Sequence, residues 1–215
     1  MLLALAAGYF AYLLFFAGLE TDERKRVVAM MALFIAVIAG IMMVRGVQAV
    51  RLEETEGRAD PVLATATSRW AWFGSYLAVT SLGLVGLLLV AGIATGIGAA
   101  VSVGDGSYIW DMALALTAHA PGVLTLLGIA ALLFGVFPRA IGASWILVGY
   151  SLFVGLFGTI IDLPQWALDI SPMEHTGRPP LDSISWPAGM IQLLAAAGLM
   201  AAGLAGFRRR DLETK

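Results

Sequence analysis

The chain has no cysteine and only two histidines among its 215 residues. Without a thiol it can build neither a disulfide framework nor a thiolate metal site, and His119 and His175 alone are too few for a multi-histidine zinc centre. Lysine is nearly missing as well: Lys25 and Lys215 are the two present, neither in a glycine-rich loop. No GxxxxGK[ST] run occurs, so the phosphate cradle of a P-loop ATPase is absent, and no HExxH pair occurs. No catalytic residue, metal or cofactor is assigned to the chain, and it is read as a non-enzyme. Charge is scarce too, at 13% of residues with a formal net charge of −2, which offers no electrostatic attraction to nucleic acid.

What the chain does have is hydrocarbon. It is 60% hydrophobic, its mean hydropathy is +0.87, and uncharged runs recur from end to end where a soluble domain would interrupt them with polar residues. A bilayer core ~30 Å thick takes about 20 apolar residues in a helix that rises ~1.5 Å per residue. Six segments meet that test: 1–19, 27–44, 73–94, 112–137, 140–161 and 188–207. The first lacks the basic start and the small-residue cleavage site of a signal peptide, so it is read as a membrane segment. Runs such as LGLVGLLLVAGIA (Leu82 to Ala94) do not alternate as a barrel strand must. The fold class is therefore all-α, a polytopic membrane protein with six transmembrane helices in a single domain over 1–215.

Basic residues accumulate on the cytoplasmic side of short loops. Placing the C-terminus inside puts Arg45, Arg51, Arg58, Arg69, Arg139, Arg208, Arg209, Arg210 and Lys215 in the cytosol and leaves Arg24, Lys25, Arg26 and Arg178 outside. The cluster TDERKR opposes the rule, whereas FRRRD after the last helix is the clearest stop signal. This topology leaves two long connections, a cytosolic link over 53–69 and an outer loop over 162–185, while FPRA turns helices four and five into a tight antiparallel hairpin at Pro138. Gly92 and Gly96 form GxxxG, and Gly128, Gly135, Gly142 and Gly149 recur every seven residues. They read either as close helix contacts, which small residues permit in lipid, or as the ordinary glycine content of membrane helices.

His119 lies a turn or two inside helix four, before Pro121. It is either a functional ionisable group in the membrane or a neutral, hydrogen-bonded ring near the interface, and Pro121 marks a bend or a gate. In the outer loop Trp166 and Trp186 fit an aromatic belt, and PQWALDI reads as a short interfacial helix with Pro164 in its first turn, either a surface segment or a lid. Asp162, Asp169, Glu174 and His175 supply acid and base groups there, which would define an intramembrane enzyme if they converged.

The cytosolic link, EETEGRADPVLATATSRW, holds six charged residues. Asp60 followed by Pro61 is a helix-start signal, since aspartate accepts from first-turn amides and proline lacks only an N–H that had no partner there. A short helix would run from Pro61 through Leu63 to Thr67, with Glu53, Glu54 and Glu56 extending helix two before it, Gly57 allowing a bend, and Ser68 and Arg69 leading into helix three. Held by two rigid rods, such a helix could seat in a partner's groove, its acidic flank steering a basic surface. A solvated connector has the same form.

These residues, with FGVFPRAIGASWILVGY, LPQWALDISPMEHTGRPP and AAGLAGFRRRDL after them, resemble permeases of ATP-binding cassette exporters assigned to polyketide antibiotics, the tetronasin-transporter kind. The resemblance runs from about Arg51 onward, and Met1 to Val50 adds compatible hydrophobicity. It implies a type 2 exporter permease of the bacterial cytoplasmic membrane that extrudes hydrophobic small molecules with a separate ABC ATPase subunit. Glu53, Glu54, Gly57, Arg58, Asp60, Pro61, Leu63, Ser68 and Arg69 would form the coupling element. The outer loop would be partly re-entrant and help close the outward mouth, with Asp162, Pro164, Trp166, Ser171, Pro172 and His175 as gate candidates. Two departures stand out: Met173 replaces an expected phenylalanine, and permeases of this kind usually carry twice as many membrane helices in one chain. The sequence therefore reads as the C-terminal half of a longer permease, or as a half that pairs with a second copy or sister subunit. A non-transporting membrane scaffold that binds its partner through the same link is the remaining alternative.

Overall fold

The computed structural model describes residues 16–58, 68–158 and 160–209. Among them are five helical spans long and apolar enough to cross a membrane, and every regular element is helical. The expected first crossing, 1–19, falls almost wholly outside the described residues, so five of the six expected crossings are seen.

The helices are longer than their apolar runs. Helix α1 covers Thr21–Thr55, against an expected 27–44, because a capping box starts it early: the Glu20 side chain accepts from the backbone at Glu23, whose side chain accepts from the Glu20 N–H. It stops where Gly57 turns left-handed at φ 71°. Helix α2, Arg69–Val103, replaces the expected 73–94. Ser68 caps it by accepting from the Ala71 N–H at 3.2 Å, and Gly104 closes it at φ 77°. At 35 residues each, α1 and α2 are ~50 Å long and exceed the hydrocarbon thickness.

The expected fourth crossing, 112–137, is two helices, α3 over Ser107–Thr117 and α4 over Ala120–Val136. Pro121 cannot donate to the carbonyl one turn back, so the helix breaks at His119 rather than carrying that residue inside it. FPRA becomes a 3₁₀ turn over Pro138–Ala143, followed by α5, Ser144–Phe157. A single turn, α6, spans Gln165–Leu168 after Pro164, and α7 spans Trp186–Arg209. Expected limits of 140–161 and 188–207 thus shift by a few residues.

Packing splits the glycines. A Cβ on Gly92 would lie 2.6 Å from the Ala113 Cα and one on Gly96 2.6 Å from the Ile109 Cα, so GxxxG seats α2 against α3. Gly128 and Gly135 face α7, where Gly203 contacts the Ala131 carbonyl directly, whereas Gly142 and Gly149 meet nothing within 4 Å. The seven-residue repeat is therefore a packing seam on α4 alone. The arms of the FPRA turn do not form the expected tight pair: α4 packs chiefly on α7, and α5 more on α1 than on α4.

Ring contacts fix one end of the bundle. Phe73, Phe134 and Phe207 meet with centroids 4.9 to 5.4 Å apart, and Trp72 stacks on Phe207 at 5.8 Å. This end gathers the end of α1, the start of α2, the FPRA turn and Arg208–Arg209. The opposite end holds the start of α1, the α2–α3 turn and the 160–185 loop: Lys25, Asp105 and Pro180 line one cleft there. Between the ends, Val79, Leu82, Ile146 and Leu194 are about 70% exposed, an outer surface suited to lipid rather than water. Tryptophans ring both ends: Trp110, Trp166 and Trp186 are exposed at one, Trp70 and Trp145 at the other.

Candidate functional site

At the ring-packed end, the residues expected to meet a partner fall in different environments. Arg58 pairs with Glu53 at 3.7 Å and makes a closer contact with Glu56, all at the surface. Glu54 does not present its charge there: it is 2% exposed and turned into the bundle, one turn beyond buried Val50 on the stripe through Val47. That i, i+3, i+7 spacing is the signal that places it inside. Ser68 and Arg69 open α2. Asp60, Pro61 and Leu63 lie outside the described residues.

At the other end the 160–185 loop enters the bundle. Asp162 starts it in a left-handed conformation, φ 48°, and the Tyr150 hydroxyl donates to the Ala167 carbonyl at 2.7 Å, holding α6 on α5. Trp166 is left exposed. The chain then folds inward at Ser171, Pro172 and Met173, which are all buried. A Cβ on Gly122 would sit 2.6 Å from the Pro172 oxygen, so only glycine admits the loop against α4. Met173, with no exposed surface, reaches the neighbourhood of Gly40 in α1; the flexible thioether fills an irregular gap among three helices where an aromatic ring was expected.

Gln192 was not singled out in the sequence, yet it fixes this loop. Its Nε2 donates to the Pro172 carbonyl at 2.6 Å inside the bundle. The signal lies in spacing: Gln192 shares a helical face with buried Gly189, Ala196 and Gly203. Gln192→Leu should cost about 1–3 kcal/mol by stranding a buried acceptor, read as a lower unfolding midpoint in detergent. Gln192→Glu, which cannot donate when ionised, should be at least as damaging.

The four acid and base groups of the loop do not join. Asp169 accepts from Gln165 at 2.9 Å, Glu174 from Arg178 at 2.6 Å, and His175 Nδ1 donates to the Ser171 carbonyl at 3.0 Å. Among the described residues, none of Asp162, Asp169, Glu174 and His175 bonds to another of the four, and no group of His, Asp and Glu could hold a metal. His119 is buried at the α3–α4 break, its Nδ1 donating to the Ala115 carbonyl at 2.9 Å.

The TDERKR cluster has local employment. Arg24 donates to the carbonyls of Phe16 at 3.2 Å and Ala17 at 3.0 Å, and Lys25 lines a cleft with Asp105 and Asp111. Asp105 accepts from the backbone and side chain of Ser107, which holds its carboxyl below the usual carboxylate range.

Spanning helices with an apolar exterior and tryptophan at both rims define a multi-pass membrane domain. The chain belongs to the family described as the C-terminal domain of the multidrug efflux system permease Rv1217c, which matches residues 4–208. It is 32% identical over 163 residues to the multidrug efflux system permease protein Rv1217c of Mycobacterium tuberculosis (strain ATCC 25618 / H37Rv), an alignment that covers 75% of this chain and 30% of that protein. The chain thus spans less than a third of the length of this relative.

Proposed function

We propose that the chain is a permease domain of an ATP-binding cassette exporter, extruding hydrophobic compounds with energy supplied by a separate ATPase subunit. The observation that carries this reading is the division of the bundle into two unlike ends: a rigid, ring-packed end where two helices of 35 residues meet the charged 53–69 link, and an opposite end stoppered by the buried Pro172–Met173 tip. Membership of an efflux-permease family supports it, as does the likeness of the link and the loop to tetronasin-type exporters.

In this reading the ring-packed end is cytosolic, because Arg51, Arg58, Arg69, Arg139, Arg208 and Arg209 gather there. Movement of a docked ATPase displaces the link, and the aromatic cluster passes that displacement from α2 to α4 and α7. Alternating access follows when the Pro172–Met173 tip leaves its seat between α1 and α4. A second permease half, either a sister domain or another copy, completes the path. Ser171, Pro172 and the Asp162–Trp166 segment act as the outward gate, and Asp60, Pro61 and Leu63 as the docking element.

The test is a double variant, Asp60→Arg with Leu63→Asp, in the complex purified with its ATPase from bacterial membranes. Substrate-stimulated ATP hydrolysis should vanish while membrane insertion persists. Full stimulation in the double variant would sink the docking role. Purification without any ATPase, under conditions that keep the bundle folded, would favour a scaffold instead.

A further inference from the structure

A cavity of about 340 Å³ lies at the loop end, between the first turns of α1, the end of α5 and the 160–185 loop. Part of its wall is polar: Arg26 from α1, Glu174 and Arg178 from the loop, and His119 from the α3–α4 break. The rest is hydrocarbon, notably Met30, Leu33, Leu156 and Ile160. Met30 and Ile160 are 56% and 75% exposed on the bundle's exterior, so the apolar part of the cavity runs out into the surface that faces lipid.

The charges on this wall do not cancel. Arg178 Nε and Nη2 both donate to Glu174 Oε2, at 3.0 and 2.6 Å, which neutralises that pair inside the cavity. Arg26 makes no hydrogen bond or ion pair among the described residues, and it stands where the apolar run of α1 begins at Val27. Arg26 is exposed at this boundary, where its guanidinium can meet an oxyanion at the level of the lipid headgroups. His119 uses Nδ1 on the Ala115 carbonyl of α3, which leaves Nε2 as the ring atom available to a ligand.

We propose that this cavity binds an anionic amphiphile, with its phosphate or carboxylate on Arg26 and its chain along Met30, Leu33, Leu156 and Ile160. Guanidinium suits such oxyanions because its N–H groups form a planar fork. The open apolar wall lets the chain enter sideways from the bilayer. This site does not depend on the export reading and would exist equally in a scaffold. Its occupant comes either from the membrane, as a phospholipid, or from solution, as a free amphiphile, and the two sources separate experimentally.

The protein, purified from membranes with its native partners, is placed in nanodiscs of equal phosphatidylglycerol and phosphatidylcholine, released, and weighed by native mass spectrometry. A membrane source predicts selective retention of phosphatidylglycerol, lowered about tenfold by Arg26→Ala, as expected for loss of one charge-assisted hydrogen bond, and only partly kept by Arg26→Lys, which retains the charge but not the fork. In a second arm, dodecyl phosphate is titrated calorimetrically into protein held in phosphatidylcholine alone. Arg26-dependent binding there without phosphatidylglycerol retention assigns a free amphiphile. If neither probe depends on Arg26 while the variants remain folded by size-exclusion chromatography, the site is refuted.

Discussion

Gly203→Leu is expected to prevent the bundle from closing, with loss of most folded protein on size-exclusion chromatography in mild detergent. The new Cβ would enter the contact that Gly203 makes with the Ala131 carbonyl and would lie 2.9 Å from the Leu132 nitrogen. Both obstacles are backbone in a facing helix and cannot rotate aside, so α4 and α7 must separate along the seam that also includes Gly128 and Gly135. Overpacking in a core typically costs ~1–3 kcal/mol and more where the obstacle is rigid; lipid offers no hydrophobic force to push the helices back together. Gly149→Leu is the control. It belongs to the seven-residue repeat of Gly128 and Gly135, but nothing lies within 4 Å of its Cβ position, so its effect should stay within about 0.5 kcal/mol. Equal damage from the two substitutions would mean that glycine acts here through helix flexibility and not through the seam.

That contrast marks what the sequence could and could not convey. Spans were legible because membrane helices announce themselves by uncharged length, and the turns at Pro138 and Pro164 because proline removes a donor wherever it stands. Helix ends were not, since α1 starts at a reciprocal Glu20–Glu23 cap and α2 at Ser68, in polar residues that hydropathy discards. Spacing identified four glycines but not which pair faces a neighbour, because that depends on whether the next helix in space is also the next in sequence. Here it is not: α4 packs on α7 across the intervening loop. The burial of Glu54, expected as a surface coupling residue, and the role of Gln192 are hidden for a related reason. Both are polar residues on otherwise apolar or small-residue faces, where periodicity and not residue type decides burial. The length of the 160–185 loop is legible in the sequence, whereas the inward turn of Ser171–Met173 depends on the room that Gly122 leaves it.

That room yields the second large effect. Gly122→Val should expel the loop tip from the bundle, because the added Cβ would stand 2.6 Å from the Pro172 oxygen and 3.2 Å from the Met173 Cα. The Gln192 bond to Pro172 would break with it, leaving the tip with neither its hydrogen bond nor its packing. The chain's lack of cysteine makes this directly measurable. Met173→Cys introduces a single thiol that is buried in the parent and should react slowly with a polar maleimide; adding Gly122→Val should speed labelling at least about tenfold, since each tenfold needs only ~1.4 kcal/mol of lost closure. Labelling in inside-out and right-side-out vesicles then reports which face of the membrane the expelled tip reaches. Fast labelling of Met173→Cys alone would show the tip to be loosely held, and access from the cytosolic face would invert the proposed orientation. If the labelling is slow and stays slow with Gly122→Val, the loop is anchored elsewhere, and the Pro172–Met173 tip cannot be the element whose release opens the path.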